Sequence, residues 1–177
     1  MIRRRRPVFT AMAAASLAAA GLGGASFAQP AGWAAEAVAD QILVEKAARK
    51  MTLFSNGRPV RSYRIALGRG GLGAKQRQGD GKVPEGRYYI TGRNPVSSYH
   101  LSLRIGYPTS VQADQAAVRG VDPGGDVMIH GLPNHLPRFR ERHRREDWTE
   151  GCIAVTNEEI EEIWQLVPDW AIIEIRS

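Results

Sequence analysis

The chain has 177 residues, a formal net charge of +6 and one cysteine. One cysteine excludes an internal disulfide, and the length is that of one ordinary domain. Residues 1–28 contain four arginines and no acidic residue, so without them the formal charge falls to +2. The high isoelectric point therefore belongs largely to the N-terminus and is poor evidence for a nucleic-acid partner.

Residues 1–28 have the pattern of a secretory signal peptide. Arg3 to Arg6 form a basic region, a stretch rich in alanine and glycine runs from Thr10 to Phe27, and small residues precede a cleavage point before Gln29. A membrane anchor needs about 20 strongly apolar residues, which alanine and glycine do not supply. We therefore expect export to the periplasm or cell wall, no membrane anchor after cleavage, and a short lead-in over residues 29–39.

Residues 40–177 predict a single, mostly β domain. Apolar runs alternate with turns rich in Asn, Gly and Pro, which is typical of short strands. Asn56-Gly57 lies between two such runs and predicts a hairpin turn, so the first three strands are expected to form a meander. The predicted strands are 42–44, 51–54, 60–67, 87–91, 99–105, 127–129 and 170–175.

Two helical segments are predicted. Thr156 and Glu159 have the spacing of a capping box, and the apolar residues that follow recur at helical spacing, namely Ile160, Ile163, Trp164 and Val167. This C-terminal helix is expected to bury one face and to stop at Pro168. Residues 114–119 are predicted to form one or two helical turns, ended by Gly120.

Two long segments are predicted as loops. Residues 68–81 are rich in glycine but lack the Gly-Lys-Ser/Thr of a phosphate-binding loop. Residues 132–148 contain two prolines and a run of charges, which we interpret as a solvated loop or a short helix with mixed salt bridges rather than a docking surface. A structureless connection of this length is usually functional or disordered.

The unpaired thiol of Cys152 raises the question of function. A lone cysteine in an exported chain is a nucleophile, one half of an intermolecular bridge, or an inert thiol. A nucleophilic thiol needs a nearby base or an environment that lowers its pKa. Of the four histidines, His130 is the best candidate, because it ends an apolar strand and is followed by Gly131.

Gly151 precedes the cysteine and predicts a sharp turn with open access to the sulfur. The amides of Gly151 and Cys152 would then be free to stabilise an oxyanion. With His130 as base, this is the residue set of a Cys–His acyl-transfer site.

The segments "IHG" and "TEGCI", separated by seventeen residues, resemble the signature of YkuD-type L,D-transpeptidases. Matching residues are His130, Gly131, Thr149, Gly151, Cys152 and Ile153. The upstream "GDGKVPEGRYYI" is similar to a second element of that family, and "ILVEKAARKMTLFSNGRPVRSYRIALG" resembles its N-terminal hairpins. The resemblance covers residues 40–176, and the form "WTEGCIAVTN" is most similar to the YafK-like branch.

The resemblance implies a β-sandwich or barrel-like YkuD fold and a role in building the cell wall and shaping the cell. It implies that Cys152 attacks the carbonyl of the third residue of a peptidoglycan stem peptide, with His130 as base oriented by a carbonyl near Gly131. Thr149 and Gly151 would serve oxyanion or substrate binding. An amine would resolve the thioester to a 3→3 cross-link or attach an acceptor protein, and no metal or cofactor is implied.

Two positions depart from the family pattern and leave alternatives open. Glu150 stands where a second histidine is common, and Ala154 stands where arginine or asparagine is common. A carboxylate beside the thiol would raise its pKa unless it faces away. Hydrolysis of the same linkages and a catalytically silent wall-binding domain therefore remain alternatives.

Two further interpretations concern a zinc site and an inert thiol. A zinc site made from Cys152 and the histidines at 130, 135 and 143 matches no common ligand spacing. An inert, buried cysteine is the usual fate of a lone thiol, but Gly151 argues for access to the sulfur.

Overall fold

The computed structural model describes residues 38–136, 139, 143 and 145–177. The predicted signal peptide and most of the predicted lead-in lie outside these residues, as do several residues of the segment 132–148. Among the helices that are described, none combines the length and apolar character needed to span a bilayer.

The described chain is mostly strands, which confirms the predicted fold class. Eight strands form one sheet, in the order β3-β2-β1-β8-β4-β5-β6-β7. Their bounds are β1 Gln41–Glu45, β2 Lys50–Ser55, β3 Arg58–Arg64, β4 Gly86–Ser97, β5 His100–Ile105, β6 Met128–His130, β7 Ile153–Ala154 and β8 Ile172–Arg176.

The first three strands form the predicted antiparallel meander. Asn56 and Gly57 both have positive φ, at 50° and 74°, which confirms the hairpin turn between β2 and β3. The last strand, β8, returns to the middle of the sheet, where it pairs parallel to β1 and antiparallel to β4. The two ends of the described domain are thereby joined in one sheet.

The second half of the sheet carries the strands nearest the candidate site. β4 pairs with β5 and β5 with β6, both antiparallel, whereas β6 and β7 are parallel. β4 runs to Ser97, so the prediction that it ends at Thr91 was wrong. The polar residues after Thr91 stay in the strand because its register shifts at Ile90/Gly92 and again at Asn94/Ser97, which absorbs residues that an ideal ladder would not hold.

Two helices accompany the sheet. α1 covers Ser110–Val118 and begins at a Thr109–Gln112 capping box, four residues before the helical turns predicted from sequence. α2 covers Asn157–Leu166, has the predicted Thr156–Glu159 capping box, and buries Ile160, Ile163 and Leu166. α2 therefore confirms the predicted C-terminal helix, while α1 is longer than expected.

A buried lysine anchors the loop between β3 and β4. The Lys46 side chain is fully buried, and its ammonium donates to the carbonyls of Gly73 and Val83 and to the Glu85 carboxylate. Three acceptors match the three donors of an ammonium group. The contact with Lys46 lowers the pKa of Glu85, against an opposing effect of partial burial. Lys46 thus holds two separate points of the loop against β1.

We expect Lys46→Met to lower the free energy of unfolding by about 3 kcal/mol, because it leaves two carbonyls and a carboxylate without their donor. Urea unfolding followed by circular dichroism measures the change. Lys50→Met is the matched control, since Lys50 is half-exposed and lies 3.7 Å from Glu45, and it should cost less than about 0.5 kcal/mol. Equal losses in the two variants would contradict an anchoring role for Lys46.

Candidate active site

The parallel pairing of β6 with β7 brings the predicted catalytic residues to neighbouring strands. Ile129 pairs with Ile153 and His130 with Ala154. Cys152 immediately precedes β7, and continuing the register places it opposite Met128, two residues before His130. Residues far apart in the chain are therefore held at the same end of the sheet.

His130 is buried among aromatic rings. It is 4% exposed, and its ring centroid lies 4.5 Å from that of Tyr99 and 5.6 Å from that of Trp148. Nδ1 lies 2.7 Å from the carbonyl oxygen of Gly131, so this nitrogen carries the proton and donates it. Nε2 is then the ring nitrogen with a free lone pair, as a general base requires. The resemblance predicted this orienting carbonyl.

Burial lowers the pKa of His130 to about 4, although the Gly131 carbonyl acts in the opposite direction. The imidazole is therefore neutral at physiological pH. A neutral imidazole can accept a proton, whereas an imidazolium cannot.

The turn after His130 requires glycine at position 131. A Cβ there would lie 2.8 Å from Asn157 Oδ1 and 2.9 Å from the carbonyl oxygen of Tyr99. Asn157 Oδ1 accepts a hydrogen bond of 2.8 Å from the Leu132 amide, and the Gly131 amide donates to Tyr99 at 3.0 Å. These contacts hold the carbonyl of Gly131 in place beside the imidazole.

Sequence reasoning missed Asn157, Tyr99 and Trp148 as parts of this site. Asn157 follows the helix cap Thr156, and nothing in its spacing links it to Gly131. Tyr99 comes from the hairpin between β4 and β5, and only the sheet order brings it to His130. Trp148 directly precedes the Thr-Glu-Gly-Cys segment, and that adjacency was the one available signal.

The Cys152 sulfur is protonated at rest. Its thiol donates to the carbonyl oxygen of Asp126 at 3.6 Å. Burial raises the pKa of the thiol most, and the Asp126 charge raises it further, while the Met128 amide and the Lys75 charge lower it. In the described part of the chain, no hydrogen bond joins this sulfur to His130. The thiol hydrogen is thus directed at the Asp126 carbonyl and not at the imidazole.

Thr149 organises the backbone around the cysteine. Its Oγ1 accepts hydrogen bonds from the amides of Gly151 and Cys152, at 3.2 Å and 3.0 Å, and donates to the Cys152 carbonyl at 2.8 Å. Both amides expected to face an oxyanion thus already have an acceptor. An oxyanion would have to share them with Thr149 or displace it, and Thr149 itself is 3% exposed. The hydroxyl therefore shapes the turn.

Gly151 allows a close approach of the preceding loop. Its φ is +125°, and a Cβ would lie 2.8 Å from the carbonyl oxygen of Lys82. Both facts require glycine at this position. The turn that presents Cys152 is consequently packed directly against the loop that Lys46 anchors.

The two residues that depart from the family pattern, Glu150 and Ala154, lie in different environments. Glu150 is largely exposed and pairs with Arg69 at 2.6 Å, and it is absent from the groups that shift the pKa of Cys152. Ala154 is fully buried, and its backbone is bonded in both directions to Ala66. The carboxylate thus faces away from the sulfur, and position 154 is closed to substrate.

A cavity of about 600 Å³ opens beside His130. Its walls combine aromatic rings with charged groups, including Tyr99, Phe139, Trp148, Arg69, Glu146 and Glu150. Its size is typical of a small-ligand site. Thr149 and Glu150, which precede Cys152 in the chain, line it. Over the described residues, no three side chains of His, Cys, Asp or Glu converge as metal ligands.

Comparisons with known proteins point to one family. The YkuD family model, described as the L,D-transpeptidase catalytic domain, matches residues 39–175. The Escherichia coli (strain K12) protein named "Putative L,D-transpeptidase YafK" is 40% identical over 109 residues, which are 60% of this chain and 36% of YafK. The chain therefore spans about a third of that relative.

Solved structures agree as well. Pgp2 of Campylobacter jejuni, titled a helical cell shape determining protein, is 25% identical with a TM-score of 0.60, over 77% of this chain and 47% of that one. An L,D-transpeptidase from Mycobacterium smegmatis is 13% identical with a TM-score of 0.53, over 77% of this chain and 58% of that one. The latter similarity supports the fold alone.

We expect Thr149→Val to lower the free energy of unfolding by about 2 kcal/mol, because two buried amides lose their acceptor. Thr149→Ser keeps the hydroxyl and should cost about 1 kcal/mol or less, the contribution of one buried methyl group. Urea unfolding of both variants measures the difference. If serine were as costly as valine, the methyl group rather than the hydroxyl would support the turn.

Proposed function

The chain belongs to the YkuD family of L,D-transpeptidase catalytic domains, and from this premise we propose that it is a cysteine acyltransferase acting on peptidoglycan stem peptides. The observation that carries the proposal is the parallel β6–β7 register, which brings a neutral His130 and the thiol of Cys152 to one end of the sheet. The single cysteine of the chain leaves no other thiol nucleophile.

In the proposed acylation step, Nε2 of His130 takes the thiol proton of Cys152. The sulfur attacks the carbonyl carbon of the third residue of a stem peptide and forms a carbon–sulfur bond. The carbon–nitrogen bond to the terminal D-residue breaks, and the departing nitrogen takes the proton from the imidazolium. The product is a thioester on Cys152 and a free D-amino acid.

In the second step an acceptor resolves the thioester. An amine acceptor attacks the thioester carbonyl carbon and loses a proton to His130. The carbon–sulfur bond breaks and the sulfur takes the proton from the imidazolium, which restores the thiol and gives a 3→3 cross-link or an attached protein. Water in place of the amine gives hydrolysis. The same residues serve both outcomes, so the acceptor alone separates a transpeptidase from a carboxypeptidase.

The electrostatics favour a concerted proton transfer. Burial raises the pKa of the thiol and lowers that of the imidazole, so both effects disfavour a thiolate–imidazolium pair. Charge would therefore develop as the sulfur attacks a bound carbonyl. Such a site keeps its nucleophile protonated until substrate is present, which limits side reactions of an exported thiol.

Hydrolysis is the second candidate function, and the rim of the cavity motivates it. The exposed Glu150–Arg69 pair occupies the position next to the nucleophile where a second histidine is common in the family. A different acceptor preference is a reasonable consequence of that change. Incubation with a defined tetrapeptide muropeptide separates the outcomes: a dimer mass indicates transpeptidation, and a tripeptide alone indicates hydrolysis.

Export to the periplasm or cell wall is part of the proposal. It rests on the signal-peptide pattern of residues 1–28 and on a substrate that lies outside the cytoplasmic membrane. The similarity to Pgp2, a protein titled as cell shape determining, supports a role in wall shape. An acceptor protein remains a proposed partner.

We expect the chain to gain the mass of one carbapenem molecule on incubation with imipenem, and Cys152→Ala to gain none. His130→Gln should slow the acylation by about 100-fold or more, because the general base is lost. His100→Gln is the matched control, since His100 pairs with Glu161 on the surface. Mass spectrometry over time gives the rates, and an unchanged mass shift in Cys152→Ala would reject the proposed nucleophile.

The pH dependence of acylation should reflect the low pKa of His130. Since the imidazole is neutral down to a pH of about 4, the rate at pH 5 should stay within about twofold of the rate at pH 7. An acid limb centred near pH 6.5 would instead indicate an ordinary, solvated histidine. Stability should decline as pH falls from about 6.5 towards 4, because the unfolded state binds the proton first, so circular dichroism must accompany each rate.

A further inference from the structure

A buried ion pair stands beside the turn that presents the nucleophile. Lys75 Nζ lies 3.0 Å from Asp80 Oδ1, and the two side chains are only 5% and 10% exposed. Neither belongs to the Cys–His arrangement described above. Lysine is rarely buried to this degree unless it is paired, and Asp80 is its partner here.

The ammonium lies against the cysteine turn. A Cβ at Gly151 would be 3.7 Å from Lys75 Nζ, and a Cβ at Gly124 would be 3.3 Å from Lys75 Cε. The side chain therefore runs past Gly124 and ends next to the residue that precedes Cys152. This placement also agrees with the effect of the Lys75 charge, which lowers the pKa of the Cys152 thiol.

Asp80 holds the ammonium in this position. Its carboxylate also accepts hydrogen bonds from the amides of Gln76, Arg77 and Lys82, at 2.7 Å, 3.2 Å and 3.0 Å. Burial by itself would raise the pKa of Asp80, but these donors and Lys75 together lower it to about 2. The carboxylate is thus ionised at any physiological pH and is a fixed partner for Lys75.

The loop that carries the pair is itself restrained. Lys46 binds the carbonyls of Gly73 and Val83, on either side of the pair, and the Gly70 amide donates to Gly81 at 2.9 Å. These bonds restrain the backbone of the loop, and the ion pair with Asp80 restrains the Lys75 ammonium within it. A charge fixed in advance stabilises a developing anion more effectively than one that must reorganise.

We propose that Lys75 is a positioning residue that holds a positive charge beside the Cys152 sulfur and favours the thiolate during acylation, with Asp80 as its orienting partner. The inference rests on the proposed function for its biological meaning. The opposing charge near the sulfur is Asp126, which is exposed and paired with Arg104. Glu150 is engaged by Arg69, and His130 is uncharged, so Lys75 is the cation assigned to the thiolate.

The test is the pH dependence of Cys152 alkylation by iodoacetamide, which needs no peptidoglycan and reports on one thiol. We expect Lys75→Met to move the profile about one pH unit higher, so that alkylation at pH 7 falls about tenfold. The profiles should meet at the alkaline end, where the sulfur is ionised in both proteins. A purely structural change would alter access to the sulfur at every pH.

Two variants control for charge. Lys75→Arg keeps the positive charge and should alkylate within about threefold of the parent chain. Arg77→Met removes an exposed charge from the same loop and should leave the profile unchanged. If Lys75→Met does not fold, the double variant Lys75→Met, Asp80→Asn removes both charges, and the same shift is expected there.

The outcomes separate the two proposals. If Lys75→Met shifts the pH profile of alkylation but the parent chain releases no product from muropeptides, the role of Lys75 is supported and the proposed function is rejected. If the parent chain converts muropeptides but Lys75→Met leaves the pH profile of alkylation unchanged, the role of Lys75 is rejected and the proposed function stands. A profile that shifts equally in Arg77→Met would show a general charge effect and would also overturn the inference.

Discussion

The parallel contact between β6 and β7 is the constraint on which the rest of the site depends. β7 has two residues, too few to hold a position by ladder hydrogen bonds with one neighbour. It is fixed from both sides, because Ala154 exchanges two backbone bonds with Ala66 and the Val155 amide donates to the carbonyl of His130. The segment that follows the nucleophile is thereby tied to the residue proposed as its base.

The turn before β7 is built from small and polar residues because several backbones meet there. Thr149 Oγ1 joins both ends of the turn, and Gly151 admits the Lys82 carbonyl from the neighbouring loop. A larger residue at position 151 would push the loop away and would move Lys75 with it. The sharp turn, the anchored loop and the position of the sulfur are therefore one packing arrangement, and Lys46 connects it to β1.

Burial sets the protonation states of His130 and Cys152. It keeps the imidazole neutral and the thiol protonated, so the resting pair carries no charge. A protonated thiol is a poor nucleophile. Its activation depends on groups that stabilise negative charge on the sulfur as the carbon–sulfur bond forms. The Met128 amide and the proposed Lys75 charge are fixed in the fold. The amides of Gly151 and Cys152 already donate to Thr149, so an oxyanion would have to share them with its hydroxyl. Reactivity is therefore expected to follow occupation of the cavity beside His130.

Sequence alone was enough to predict the mostly β class, the Asn-Gly hairpin, the capped C-terminal helix and the resemblance that led to the YkuD family, because each depends on residues close together in the chain. The nomination of His130 and Cys152 also came from sequence, and their catalytic roles remain predictions. Other features depend on long-range pairing and came only from the structure. They are the end of β4, shifted by its bulges; the contact of Asn157 with Gly131; the burial of Ala154; the outward direction of Glu150; and the position of Lys75 beside Gly151. Local pattern cannot reveal these features, because each arises where segments distant in the chain share one small volume and compete for the same hydrogen-bonding groups.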